Sequence, residues 1–342
     1  MRPRLSGLLL ALALVGPAAT AAPPAKIDLF THEDALDSGE QTAPAPAHAP
    51  GEPEASTLGQ IPPEVLKAAE AARNEPLAQR MKDVAEPLLG KPYEADPLGE
   101  GQGYDPDPFA RYDAFDCLTF VEEAVALALS GDPAHSATVR LGLRYDGTPA
   151  YATRHHFMEL QWIPAALKNG WLRDTTADYG EVEHWHREVT PGVWRAWNRR
   201  GLFHLTDAQL PEGTMRLDIL PLDAAMKVAA TIRPGSILMA VRDDRSWIPL
   251  RITHLGLVVA GNDGPIFRHA SHMSSGYETR DNRLSWYLEH MSTYVHWKTA
   301  GISLFEPVEF GPRLSRLPRQ GGYAGPPPVV VLDDGTEAVA TR

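Results

Sequence analysis

The run from Asp116 to Ser130 limits the fold more than any other stretch of this chain. Leu118, Val121, Val125 and Ala128 recur on one helical face, Ala124 and Leu127 widen it, and Gly131-Asp132-Pro133 stops it. Asp116 suits the N-cap, which puts Cys117, the single cysteine of the chain, at the first helical position. From Gly235 the style changes. Ser236 to Val241, Thr253 to Val259 and Ile266 to His269 are short β-rich runs separated by the turn signals Arg242-Asp243-Asp244 and Gly261-Asn262-Asp263-Gly264. An apolar helix followed by an antiparallel meander predicts an α+β domain.

Other elements fix the domain's limits. Helical spacing begins near Pro62 with Val65, Ala68, Ala69 and Ala72, and resumes through Leu77, Met81, Val84 and Leu88 before Gly90. Residues 139–145, 155–162 and 163–169 give weaker signals. Residues 181–213 are rich in Trp, His and Arg with little periodicity, and are read as an insertion in a domain spanning 59–311. Residues 22–58 are rich in Pro, Ala, Gly and acid and read as a disordered linker. Residues 312–342 read as a flexible tail, apart from the short run Val329 to Leu332.

The first 21 residues have the form of a secretory signal peptide: Arg2 and Arg4, an apolar run from Leu8 to Val15, and the small residues Ala19-Thr20-Ala21. Eight apolar residues fall far short of the roughly 20 that span a bilayer, so no membrane span is expected. Export, with the periplasm favoured, is the expected localisation. Loss of the leader removes two arginines and no acid, moving the formal charge from −12 to −14. Such a surface repels phosphate backbones and argues against a nucleic-acid partner.

Exported chains usually carry cysteines in pairs, and Cys117 has no second cysteine to join. Two readings stand: a buried structural thiol, or a nucleophile. A helix N-terminus favours the second chemically, because the macrodipole and the unsatisfied N–H groups stabilise a thiolate and can hold an oxyanion. A cysteine nucleophile needs a base, most often an imidazole oriented by a third polar group. Among 13 histidines, His254 and His269 lie on the two β runs that flank the Gly-Asn-Asp-Gly turn. A hairpin there would set the two rings side by side. Each can equally be an ordinary strand histidine. His184-Trp185-His186 has the look of a metal pair but brings no third ligand at a recognised spacing, so no metal or other cofactor is expected.

Three pieces in order carry a family resemblance: Leu88-Leu89-Gly90-Lys91-Pro92-Tyr93, then Phe115-Asp116-Cys117-Leu118-Thr119-Phe120-Val121-Glu122, then the two histidine runs. They resemble the NlpC-type peptidase superfamily. Within it, Asp116 to Glu122, Arg144-Tyr145-Asp146-Gly147 and Thr153-Arg154-His155-His156-Phe157 are similar to elements of the N-acetylmuramoyl-L-alanine amidase-like family. The likeness covers roughly residues 80–310, with Leu118 in place of the usual polar residue. It implies a papain-like NlpC-type fold, with the catalytic cysteine at the start of a helix packed on an antiparallel sheet.

By the same resemblance Cys117 is the nucleophile, His254 the general base and then acid, and His269 its orienting group. Tyr93, Arg154, His156 and Ser271 are substrate-side candidates, as is Asp116, whose first reading is as the cap. The implied substrate is peptidoglycan or a muropeptide, cut between the lactyl group and L-alanine. A γ-D-glutamyl-diaminopimelate endopeptidase, a non-catalytic cell-wall binding protein and an acyl-amide hydrolase are the rival readings. Oligomeric state is left open.

Overall fold

The computed structural model describes residues 61–309, apart from 102, 131, 132, 274 and 275, together with the pairs 330–331 and 337–338. Residues 1–21, read as a leader, all of the expected linker at 22–58 and most of the C-terminal tail lie outside the described residues. In the tail, Val330–Val331 pairs antiparallel with Glu337–Ala338.

Helices α1 (Pro63–Ala71) and α2 (Leu77–Ala85) precede the long α3 (Cys117–Ser130), which is followed by α4 (Ser136–Arg144) and α5 (Ile163–Lys168). Strands β1 (Leu172–Asp174) and β2 (Glu183–Val189) come next, then α6 (Pro191–Ala196), β3 (Gly213–Pro221) and α7 (Leu222–Val228). The chain continues through β4 (Ile237–Arg242), β5 (Ile252–Gly261), β6 (Gly264–Met273), β7 (Gly276–Arg283), α8 (Leu284–Met291) and β8 (Thr299–Pro307). The pairing is antiparallel throughout, in the order β2-β3-β8-β4-β5-β6-β7, with β1 also on β8. The protein is therefore a mixed α+β fold on an antiparallel sheet.

Alternation along the strands gives the sheet two apolar faces. Ile237, Met239, Leu255, Leu257, Val259 and Ala270 join the core of α1 to α4, in which Cys117, Phe120, Val121 and Val125 are buried. Leu238, Ala240, Val258, Phe267 and Ile302 face the other way, against α7 and α8. Helix α3 packs on β5 and β6, and almost every residue along it is buried. The buried set includes Glu122 and Glu123, which the apolar pattern does not announce.

Those acids are neutralised from α4, one turn apart. Glu123 accepts from Arg140 Nε (2.5 Å) and Nη2 (2.8 Å) and from the Tyr112 hydroxyl (2.6 Å). Glu122 accepts from Arg144 Nε and Trp162 Nε1, at 2.8 and 2.9 Å. Both oxygens of both carboxylates are engaged, which a buried charge requires.

Most of the segment 181–213 is built into the sheet or into a core. Strand β2 pairs with β3 from Glu183↔Ile219 to Val189↔Gly213 and forms one end of the sheet. Trp185 and Val189 point inward with Arg187 between them, and that inward arginine hides the period of two. Its guanidinium donates to the carbonyl of Ile248 (2.6 Å) and pairs with Asp244. Beyond β2, Trp194, Trp197 and Phe203 close over Phe157 as an aromatic cluster.

Candidate active site

Asp116 caps α3 in both directions. Its Oδ1 accepts from the Thr119 backbone N–H (2.7 Å) and hydroxyl (2.7 Å), while the Thr119 Oγ1 accepts from the Asp116 N–H (3.0 Å). This reciprocal box fixes the first turn, with Cys117 at its first position and fully buried. Burial pushes the Asp116 carboxyl up to about 6.

The β5–β6 hairpin closes at Gly261↔Gly264, as its turn residues predict. It brings His254 and His269 together: His254 Nε2 lies 2.7 Å from His269 Nδ1, with the rings nearly perpendicular at 84°. Gly256 makes this pairing possible. A Cβ there would lie 2.7 Å from the Cβ of His269 and 2.7 Å from the Arg268 carbonyl, distances no side chain tolerates. The glycine two residues after His254 is thus the space that His269 occupies.

His269 is held in turn from β7, where Asn282 Oδ1 lies 2.9 Å from its Nε2. Tyr287 of α8 covers both rings, 6.2 Å from His254 and 5.4 Å from His269 between centroids. Burial lowers the His254 pKa well below its usual value, helped by His269 and His272; burial likewise pulls His269 down to about 4, against the bond to Asn282. Both rings are neutral at pH 7, and their proton order follows. The amide oxygen takes the proton on His269 Nε2, so His269 Nδ1 accepts and His254 Nε2 donates to it. His254 Nδ1 is then an unprotonated nitrogen, buried and without a hydrogen-bond partner among the described residues.

Tyr93 and His272 lead from this pair toward the segment that enters α3, and Cys117 does not line the cleft that the imidazoles share. Phe115 bridges Tyr93 in parallel pairing, and the Phe115 N–H donates to the Pro92 carbonyl (3.0 Å). The Tyr93 ring is 5.4 Å from that of His272, and His272 is 5.4 Å from His254. A cleft lined by His254, His269, Ser271, His272, Tyr287 and Trp297 opens there. Ser271 therefore sits with the imidazoles; its Oγ accepts from the Met273 N–H (3.2 Å). A second cleft, lined by His156, Glu159, Trp197, Arg242 and Trp247, shares Thr253 and Trp297 with the first.

Arg154 and His156 do not join the imidazole pair. The Arg154 guanidinium is buried among Asp96, Glu100 and Asp105, with bonds of 3.3, 2.8 and 2.7 Å. His156 bonds the Tyr151 carbonyl through Nε2 (2.6 Å), and burial beside Arg154 lowers its pKa to about 3. It borders the second cleft. His184 bonds Asp218 across β2 and β3 (2.6 Å) on the surface. Among the described residues no group of three or more His, Cys, Asp or Glu is arranged to hold a metal ion, and no helix is long and apolar enough to cross a membrane.

His272 and Asn282 escaped the reading of the sequence. His272 follows Ser271 in a strand already marked by His269, so the count of histidines in that run was a usable signal. Asn282 lies in a strand of Gly-Tyr-Glu-Thr-Arg-Asp-Asn-Arg, which has no apolar alternation because β7 is the end strand of the sheet.

A mixed α+β protein with a neutral, oriented imidazole pair in a cleft has the equipment for proton transfer at neutral pH. Residues 83–294 match the family model for AmiA-like, N-acetylmuramoyl-L-alanine amidase-like proteins, and the chain belongs to that family. In fold it is similar to a DUF1460-family protein of Legionella pneumophila, at 20% identity and a TM-score of 0.62, over 72% of this chain and 93% of that one. It is also similar to an N-acetylmuramoyl-L-alanine amidase of Bacteroides uniformis, at 20% identity and a TM-score of 0.53, over 68% and 99%. At these identities the likeness is one of fold. No curated protein matches the chain in sequence.

Proposed function

We propose that the chain is a peptidoglycan hydrolase: a cysteine-dependent N-acetylmuramoyl-L-alanine amidase of papain-like, NlpC type, exported by its leader. Membership of the amidase-like family supports the substrate class. The observation that carries the chemistry is His254 Nδ1, a buried nitrogen kept free of a proton by the bond on the opposite side of its ring.

In this reading His254 Nδ1 takes the proton of the Cys117 thiol as Sγ attacks the lactyl carbonyl carbon. Backbone N–H groups at the start of α3 hold the oxyanion. The C–N bond to L-alanine breaks, and the departing amine takes the proton from His254. Water then gives its proton to His254 and attacks the thioester carbonyl. The C–S bond breaks, Sγ regains its proton from His254, and the acid left on the sugar gives up its own proton to solvent to become the carboxylate. The neutral imidazoles favour general-base attack, with proton transfer accompanying it, over a resting thiolate–imidazolium pair.

The test is digestion of defined disaccharide-peptide muropeptides by the mature protein and by Cys117→Ala, with products weighed by mass spectrometry. Release of the intact stem peptide that depends on Cys117 is expected. A disaccharide still bearing L-alanine and D-glutamate would move the cut to the endopeptidase position, and cleavage by Cys117→Ala would remove the thiol from the chemistry.

A further inference from the structure

We infer that Asn282 is a positioning residue that sets the direction of the protons in the imidazole pair, and that it acts through His269 rather than on substrate. The inference deepens the reading above, since it assigns the residue that makes His254 Nδ1 the base.

Two neutral imidazoles joined by one hydrogen bond have two proton orders. In one, His254 carries its proton on Nε2 and leaves Nδ1 bare; in the other, Nδ1 is protonated and cannot accept. The 2.7 Å bond between His254 Nε2 and His269 Nδ1 suits either. Whatever meets the far nitrogen of His269 therefore decides. That group is Asn282 Oδ1 at 2.9 Å, an acceptor, so His269 Nε2 must donate and the order follows along the chain to His254.

The surroundings leave this contact in control. Phe267 stacks on His269 at 4.7 Å and 25°, Tyr287 packs against both of these rings, and Gly256 lets the backbone of the neighbouring strand close on the His269 Cβ. The ring is fixed in place by packing, and its proton by Asn282. Asn282 stands on β7 opposite Phe267, one strand away from the imidazoles it orders. The charged groups near His269 are Arg280, which faces it in the β6–β7 register, and Asp281, with His272 beside them.

The role requires an acceptor, and a second residue type can supply one. In Asn282→Asp the carboxylate accepts from the same Nε2, so the proton order is kept, while the added negative charge makes the pair easier to protonate. In Asn282→Leu the acceptor is lost. On muropeptides, Asn282→Leu should lower kcat by on the order of 10- to 100-fold with little change in KM, the usual scale for a partner that fixes a tautomer. Asn282→Asp should recover most of that rate, with the acid limb of its pH profile moved to higher pH. A purely structural asparagine would leave both variants equally impaired.

The deciding readout needs no substrate: nitrogen-15 spectra of histidine-labelled full-length protein at pH 7. Expected are a protonated Nε2 and a bare Nδ1 on His254 in the wild type and in Asn282→Asp, and a mixture of orders in Asn282→Leu. A wild-type His254 protonated on Nδ1 would overturn the inference, as would an unchanged order in Asn282→Leu. Should that variant not fold, the wild-type and Asn282→Asp spectra still decide. Absence of muropeptide cleavage by the wild type would count against the amidase reading alone, because the spectra test the proton order independently.

Discussion

Two regions bury polar groups to a similar depth and treat them in opposite ways. On α3, Glu122 and Glu123 are saturated: every carboxylate oxygen meets a guanidinium, an indole or a hydroxyl. In the β5–β6–β7 cleft, three ring nitrogens of His254 and His269 are engaged and the fourth is left bare. A buried polar atom without a partner costs on the order of 1–3 kcal/mol. The carboxylates of the first region are fully paired; the second keeps one bare ring nitrogen, the one proposed above as the base.

That contrast breaks most sharply at His254. His254→Ala should lower kcat on muropeptides by on the order of 10²- to 10⁴-fold, the range for a lost general base, while thermal stability falls only modestly, since His269 Nδ1 loses its donor. A large drop in melting temperature would reclassify His254 with the ion pairs of α3. Gly256→Ala should also cost most of the activity, because the new methyl group forces His269 out of line; a crystal structure or the nitrogen-15 spectra would register the shift.

On the saturated side the expected effects appear in stability. Glu122→Gln leaves Arg144 buried without its counter-charge and should cost about 3–5 kcal/mol in urea unfolding. Arg154→Met should fall in the same range, because it leaves Asp96, Glu100 and Asp105 facing each other. If Arg154→Met instead folds normally and raises KM, Arg154 belongs to the substrate cleft.

Acid offers a smaller test of the same division. His254 and His269 are harder to protonate folded than unfolded, so their contribution is complete above about pH 6.5. It is lost as pH falls toward about 4, the value for His269, at roughly 1.4 kcal/mol per pH unit for each ring. Asp96, raised to about 7, and Asp116, at about 6, work in the opposite direction, because the folded state holds their protons more tightly. Denaturation curves from pH 7 to 4.5 should therefore fall less steeply for His269→Asn than for wild type. Parallel curves would mean that His269 is not held neutral by the fold.

Much of this arrangement is legible in one dimension. The apolar face of α3, its Asp116 cap, the position of Cys117 and the β5–β6 hairpin all rest on contacts within a few residues, where spacing and turn chemistry are decisive. Local rules also bring the His254 and His269 runs together, because a two-residue turn fixes which positions of a hairpin face each other.

Three-dimensional pairing decides the rest. Arg154 reads as a cleft residue until Asp96, Glu100 and Asp105 arrive from a loop about fifty residues earlier. Strand β2 hides its period behind an inward Arg187 whose partners lie some sixty residues on. Asn282 belongs to an end strand that has no apolar alternation to betray it. The leader at 1–21, the linker and the tail rest on composition alone. Periodicity fixes an element because its cause is local; the partner of a buried charge, and the nitrogen that goes without one, are settled only when distant segments pack.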